Sequence, residues 1–368
     1  MHGGPSDIEI ASISLSVKNL KVHFPFPRNE DFRDSQWSDK DSAEEHLSWK
    51  LSSDFSRVLP QFKNLRFLSY GIGRWHNTWS KGPPRTDLPF TRNLLEPISS
   101  PLGEDSFTCL IALKLHLPST HAFNMAFSAL GSKALGRLRH LYVEIKGQTG
   151  GRGLPLQDDE YGAPMSNYLQ RHPIKEYTPE FLGWIGMCTR LESLSITVHY
   201  TQLLDTTELK WKPAGEGLKM LDLYGVIATP TALMDLMSNS EGRPSPVASK
   251  VSLINIWLTS GTWDQVIKHM DGLSALMYFC PVNLSYSKKG TSGHLHRSIC
   301  ANLYSPICSM HSVDNNELLR LYLKLDGLAR AAGLKYPVDR GENGIVAGIL
   351  TMTNALGRHR PPFHIDWV

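Results

Sequence analysis

The chain has 368 residues, of which 41% are hydrophobic and 20% are charged, and its 38 basic and 35 acidic residues leave a net charge of +3. This composition is typical of a folded protein with a large core and excludes a chain that is disordered throughout. The near balance of charge gives no electrostatic reason to expect a nucleic acid or an anionic membrane as partner.

The N-terminal sequence "MHGGPSDIEI" contains no basic region followed by an apolar stretch, and no segment approaches the ~20 apolar residues that span a bilayer. These features predict a cytoplasmic or nuclear protein. The five cysteines are scattered and form no C-x-x-C pair, which favours reduced thiols over a disulfide framework or a zinc site.

Eight strand-like runs fit the spacing L-x-x-L-x-L-x-L, in which any large apolar residue can replace leucine, although the last apolar residue of the run from Leu218 slips to Val226. The last three apolar positions alternate and therefore lie on one face of a β-strand, and the first enters the same core just before the strand. Each run thus predicts a strand with one apolar side. The runs begin at Val17, Leu65, Leu110, Leu138, Leu191, Leu218, Val251 and Leu273.

Helix start signals separate several of these runs. "TPEFLGWIG" and "TPTALMDLM" place Thr178 and Thr229 at N-cap positions before a proline, and Thr262 begins a capping box in "TWDQVIKHM". Strands that alternate with helices give a parallel sheet, so the sequence predicts an α/β fold.

The repeated "L-x-x-L-x-L" strands, together with Trp- and Pro-containing insertions such as "GRWHNTWSKGPPR", resemble the irregular leucine-rich repeats of fungal F-box proteins over residues 17–282. The resemblance implies an irregular solenoid of parallel strands, over residues 1–311, that binds a protein partner through its open sheet face and its inserted loops. We expect the F-box itself to be absent, because only 16 residues precede Val17.

Three insertions interrupt the predicted solenoid, at 25–50, 73–104 and 147–177. The last is long and rich in Gly and Pro, and a loop of that length is more often functional or mobile than neutral. From residue 312 the pattern changes to a helical one, with a D-x-x-E start and apolar residues spaced three and four apart. Residues 312–368 are therefore predicted to form a helical C-terminal cap.

Familiar catalytic and cofactor motifs are missing. The Gly-rich stretch 147–153 lacks the G-K-[ST] of a phosphate loop, and the "HLH" sequence at 294–296 has no second cluster of metal ligands. No G-x-S-x-G elbow is present. We therefore expect neither a cofactor nor a metal, and whether the protein is an enzyme stays open.

The residues between the apolar positions are predicted to form two rows across the other face of the sheet. At its end these rows would place Tyr224, Trp257 and Phe279 side by side, a site for a partner or an apolar ligand unless a loop or the cap covers it. The flanking residues would be Asp222, Asn255 and Met277.

A second group on this face lies in the middle of the predicted sheet. Lys114 and His116 come from one strand and Tyr142 and Glu144 from the next. A carboxylate beside an imidazole can act as acid or base, although the group also fits a solvated cross-strand ion pair.

Two functions follow from these patterns. The first is a recognition module that binds a protein partner. The second is a biosynthetic enzyme, of cyclase or isomerase type, that needs no metal or nucleotide and holds an apolar small molecule against the aromatic end of the sheet.

Overall fold

The computed structural model describes residues 17–24, 59–72, 107–117, 119–145, 174–198, 203–282 and 284–286, and single positions between 317 and 331. The chain divides into two compact units, Met1–Trp211 and Lys212–Val368, here called unit one and unit two. The predicted boundary at 311/312 stays a prediction.

Unit one contains five parallel strands that pair in chain order. The described apolar residues of the runs in β2 to β5 lie buried on one face of this sheet, as the alternation predicts, and the leucine that opens each of these runs is buried as well, whereas Leu20 and Val22 of β1 are half-buried. The strands are β1 (Asn19–Phe24), β2 (Phe67–Ile72), β3 (Ala112–Leu117), β4 (His140–Ile145) and β5 (Ser193–Val198), and the two-residue β6 (Leu204–Asp205) follows them in the chain.

Two helices of unit one pack against each other. They are α1 (Thr120–Leu135) and α2 (Ile174–Met187), and a cluster of three buried rings joins them: Phe123, Phe127 and Phe181, with centroids 5.5–6.1 Å apart. Aromatic side chains bury large areas, so this cluster contributes strongly to the stability of the helical layer.

Six of the strands, β2 to β5 and two strands of unit two, begin with the same backbone joint. The carbonyl of the residue just before one strand accepts hydrogen bonds from two successive N–H groups at the start of the next. In unit one the acceptors are the carbonyls of Lys18, Arg66, Ile111 and Arg139, and in unit two those of Lys219 and Ser249. The repeat therefore exists in the hydrogen bonds as well as in the leucine spacing.

Unit two has its own parallel strands. β7 (Met220–Ala228) pairs with β8 (Lys250–Leu258), whose other edge pairs first with β9 (Tyr278–Val282) and then with β10 (Ser285–Tyr286). Helices α3 (Pro230–Leu236) and α4 (Trp263–Asp271) follow β7 and β8 in the chain. All eight predicted strands and their parallel pairing within each unit are confirmed, and the α/β class with them.

The predicted frames of the last two runs are wrong by three residues. Val251 lies opposite Leu221 and opposite Phe279, so it is the second apolar position of its run, and Ala248 is the first. The next run likewise starts at Leu276 and not at Leu273. The spacing from Leu218 then becomes 30 and 28 residues, in place of 33 and 22.

A break in alternation adds to this error. Gly225 and Asn255 lie between paired residues on the neighbouring strands β7 and β8, and both have positive φ, 74° and 55°. Strict alternation from the buried Leu223 and Leu253 would continue at 225 and 255. The next buried apolar residues are instead Val226 and Ile256, one residue later. Asparagine and glycine tolerate this left-handed conformation better than other residues do.

The helix start signals are borne out in part. Thr229 caps α3, and its Oγ1 accepts from the N–H of Ala232 at 3.1 Å. Thr262 occupies the N-cap of α4 but makes no capping bond, because its hydroxyl donates to Asp264. The start at Thr178 is wrong, since α2 begins at Ile174 and contains Pro179. Residues 174–177 of the predicted insertion are therefore helical.

The described positions between 317 and 331 are helical, as the spacing predicts for the C-terminal segment. Leu321 and Leu325 are buried there. The Arg320 guanidinium lies 3.0 Å from a carboxylate oxygen of Asp271, and the Lys324 ammonium donates to the carbonyl of the same residue. Cations at the C-terminus of α4 complement the negative end of its dipole. The remainder of the predicted cap and insertions lies outside the described residues.

Candidate functional site

The two predicted rows are confirmed across all five strands of unit one. Parallel pairing in register places five residues opposite one another in each row. The first row is Lys21, Ser69, Lys114, Tyr142 and Ser195, and the second is His23, Gly71, His116, Glu144 and Thr197. We call them the lysine row and the histidine row.

A cross-strand pair links β3 to β4 in the histidine row. His116 Nδ1 donates to Glu144 Oε2, and the Tyr142 hydroxyl donates to the same oxygen at 3.3 Å. The side chains of His116 and Glu144 are only 8% and 13% exposed. The pair is therefore much less solvated than predicted, and such shielding strengthens the hydrogen bond between the two side chains.

Gly71 lets β2 and β3 approach closely beside this pair. A Cβ at residue 71 would lie 2.5 Å from His116 Cβ and 2.8 Å from the His116 carbonyl oxygen, closer than real side chains come. The alternation of β2 predicts Gly71 on this face but gives it no role there. A glycine inside a strand is a known sign of close backbone approach, so the signal was present in the sequence.

Lys114 is the half-buried lysine of the predicted group. Its ammonium lies over the Tyr142 ring, 4.4 Å from the ring centroid, which is a cation–π contact. Burial lowers the pKa of Lys114, and the charge of Lys21 lowers it further, while Glu144 opposes both effects. The charges of the two lysines therefore repel each other across β2.

The two rows differ in their access to solvent. Gly71, His116 and Thr197 are buried in the histidine row. In the lysine row, Lys21 is exposed and Lys114, Tyr142 and Ser195 are half-buried, although Ser69 is only 1% exposed. The predicted open face is therefore accessible mainly along the lysine row.

The aromatic site predicted in unit two is not assembled. Phe279 is 1% exposed and lies opposite Val251, on the face that packs into the core. Tyr224 lies opposite Ile254, and Trp257 lies opposite Ile227, on the other side of the Gly225–Asn255 break. Phe279 therefore lies on the opposite face from Tyr224 and Trp257, and the break displaces those two residues along their strands, because the predicted register ignored both the break and the frame shift.

The flanking residues of that site are separated as well. Asp222 lies opposite Ser252, which in turn lies opposite Cys280. Asn255 occupies the break, and Met277 precedes β9. Tyr224 and Trp257 are half-buried, and each lies opposite an isoleucine of the neighbouring strand.

Among the residues that the structure describes, no group of three or more His, Cys, Asp or Glu side chains is placed to hold a metal ion. The "HLH" and Gly-rich 147–153 stretches lie outside that part of the chain. Within the same part, none of the helices combines the length and the apolar character needed to cross a bilayer.

Comparison with known proteins adds no relative. No protein-family model matches the chain, and no curated protein matches it.

Proposed function

We propose that the protein is a recognition module that binds a protein partner through the lysine row of unit one. The observation that supports this proposal is the strict register of that row over five consecutive strands. Parallel pairing fixes the spacing of these side chains before any partner arrives, which reduces the entropy lost on binding. The resemblance to fungal F-box repeat proteins points to the same use of a sheet face.

The positions of the long insertions support this proposal. β1, β2 and β4 end at residues 24, 72 and 145, and the next described residues are 59, 107 and 174. Because carboxyl ends of parallel strands meet at one edge, all three segments leave the sheet at the same edge. Binding residues in α/β proteins concentrate on loops at that edge.

A site-directed crosslink tests the proposal. A photo-crosslinking amino acid at Ser195, in the lysine row, should capture a discrete partner, whereas the same group at Lys268, an exposed position on α4, should not. Changing Tyr142 to Ala should then weaken binding of the captured protein by about tenfold or more. Equal crosslinking from both positions, or no partner from Ser195, would contradict the proposal.

A second function is favoured by the shielded pair of His116 and Glu144. Glu144 orients the imidazole through Nδ1, so a cyclase or isomerase that needs no cofactor would have to exchange the proton at Nε2, an atom that is buried in this structure. Metabolite profiles of cells that produce the wild type should then contain a product missing with His116→Gln, at equal protein levels. Identical profiles would contradict the enzyme hypothesis.

A further inference from the structure

The lysine row contains two cations on either side of a strand with small residues. Lys21 and Lys114 lie opposite Ser69 on its two sides, so their backbones are about 9–10 Å apart, twice the spacing of neighbouring strands. Between them β2 presents Phe67, Ser69 and Gly71 on this face, and all three are buried. The two longer lysine side chains are more exposed than the strand that separates them.

The charges on this face are unevenly compensated. The Glu144 carboxylate binds His116 and Tyr142, and among the described residues no carboxylate lies within ion-pair distance of Lys21 or Lys114. Burial is the main cause of the lowered pKa of Lys114, and the charge of Lys21 adds to it, although Glu144 opposes both effects. A ligand that brings negative charge to the two lysines would stabilise both ammonium groups.

We infer that the partner contacts the lysine row with an acidic segment, whose carboxylates bind Lys21 and Lys114. The inference rests on the proposed function and specifies the chemistry of the partner. Carboxylates fit because their oxygens accept strong, charge-assisted hydrogen bonds from ammonium groups. The Tyr142 ring beside Lys114 supplies an apolar contact for the neighbouring part of the segment. A nucleic acid is disfavoured, since the whole chain carries a net charge of only +3.

Two labelled peptides provide the test, one alternating Glu with Ser and the other alternating Gln with Ser. Fluorescence anisotropy with the full chain should show binding of the Glu peptide alone, weakening as salt is added. Lys114→Gln and Lys21→Gln should each raise its Kd, by about tenfold at the half-buried Lys114 and less at the exposed Lys21. Lys63→Gln removes an exposed lysine outside the sheet and should leave the Kd unchanged.

Lys114→Arg keeps the charge and should restore most of the affinity that Lys114→Gln loses, which separates a loss of binding from a loss of folding. Equal binding of both peptides, a Kd insensitive to both Lys→Gln changes, or tighter binding of an oligothymidylate would overturn the inference. If a partner crosslinked from Ser195 binds the two Lys→Gln variants as tightly as the wild type, the inference is overturned and the proposed function stands. Lysine-dependent peptide binding without any crosslinked partner instead overturns the proposed function.

Discussion

Phe279 and Trp257 occupy opposite environments although the alternation had placed them together. Phe279 is enclosed in the core of unit two, whereas Trp257 is half-buried on the other face. We expect Phe279→Ala to lower the free energy of unfolding by roughly 3–5 kcal/mol and Trp257→Ala by about half as much or less. Urea denaturation of the two variants measures the difference. Equal losses would contradict the assigned faces.

Gly71 offers a sharper test at the level of single atoms. A methyl group there would collide with the Cβ and backbone of His116, so Gly71→Ala should force β2 and β3 apart and destabilise the protein by roughly 1–3 kcal/mol. The control is Gly183→Ala on an exposed position of α2, where a Cβ meets nothing within 4 Å. That change should stabilise the helix by about 0.5–1 kcal/mol. Thermal melting distinguishes the two signs.

His269 makes stability depend on pH. Burial lowers its pKa from 6.5, and the ring nitrogen Nε2 lies 3.2 Å from Ser238 Oγ. The unfolded chain therefore takes up a proton at higher pH than the folded one, so stability should fall as pH drops below about 6.5, towards the folded pKa. Urea unfolding at pH 7.5 and 5.5 should show a smaller fall for His269→Gln. An unchanged slope would exclude His269 as the source.

Helices α3 and α4 begin with threonines that behave differently. Thr229 accepts the N–H of Ala232, and Thr262 instead donates to Asp264. We expect Thr229→Ala to cost about 1 kcal/mol of unfolding free energy, as is usual for a lost N-cap bond. Thr262→Ala should cost less, because no backbone N–H loses its partner. Denaturant titration of both variants checks the order, and a larger cost at Thr262 would refute it.

The strands of unit one could be predicted residue by residue, and those of unit two only in existence and direction. In unit one every run has a single apolar face, so the pattern fits only one frame. In unit two, Ala248 and Val251 both suit the opening position of a run, as do Leu273 and Leu276. Spacing alone could not choose between them, and the left-handed Asn255 carries no unambiguous signal in a sequence.

The candidate site could likewise be predicted only in part. The contact between His116 and Glu144 could be predicted because register alone brings the two residues together. Their shielding could not, since burial depends on the rest of the fold. The aromatic site failed because it required three strands to keep one alternation, and two of them change it at Gly225 and Asn255.

At the scale of the whole molecule, we still expect a protein without bound metal. The five cysteines and fifteen histidines of the sequence form no recognisable ligand motif. Elemental analysis of the purified full chain should therefore find zinc and iron far below one atom per chain. A stoichiometric metal that survives dialysis against a chelator would overturn this expectation and shift attention to segments outside the described residues.

The backbone joint that begins six of the strands bears on how such a chain can evolve. Because the two hydrogen bonds use a carbonyl and two N–H groups, the joint accepts Lys18, Arg66, Ile111 or Ser249 at the same place. Substitution there leaves the connection between neighbouring strands intact. Gene duplication could therefore add a strand repeat, and deletion could remove one, without a matching side chain having to evolve at the new boundary.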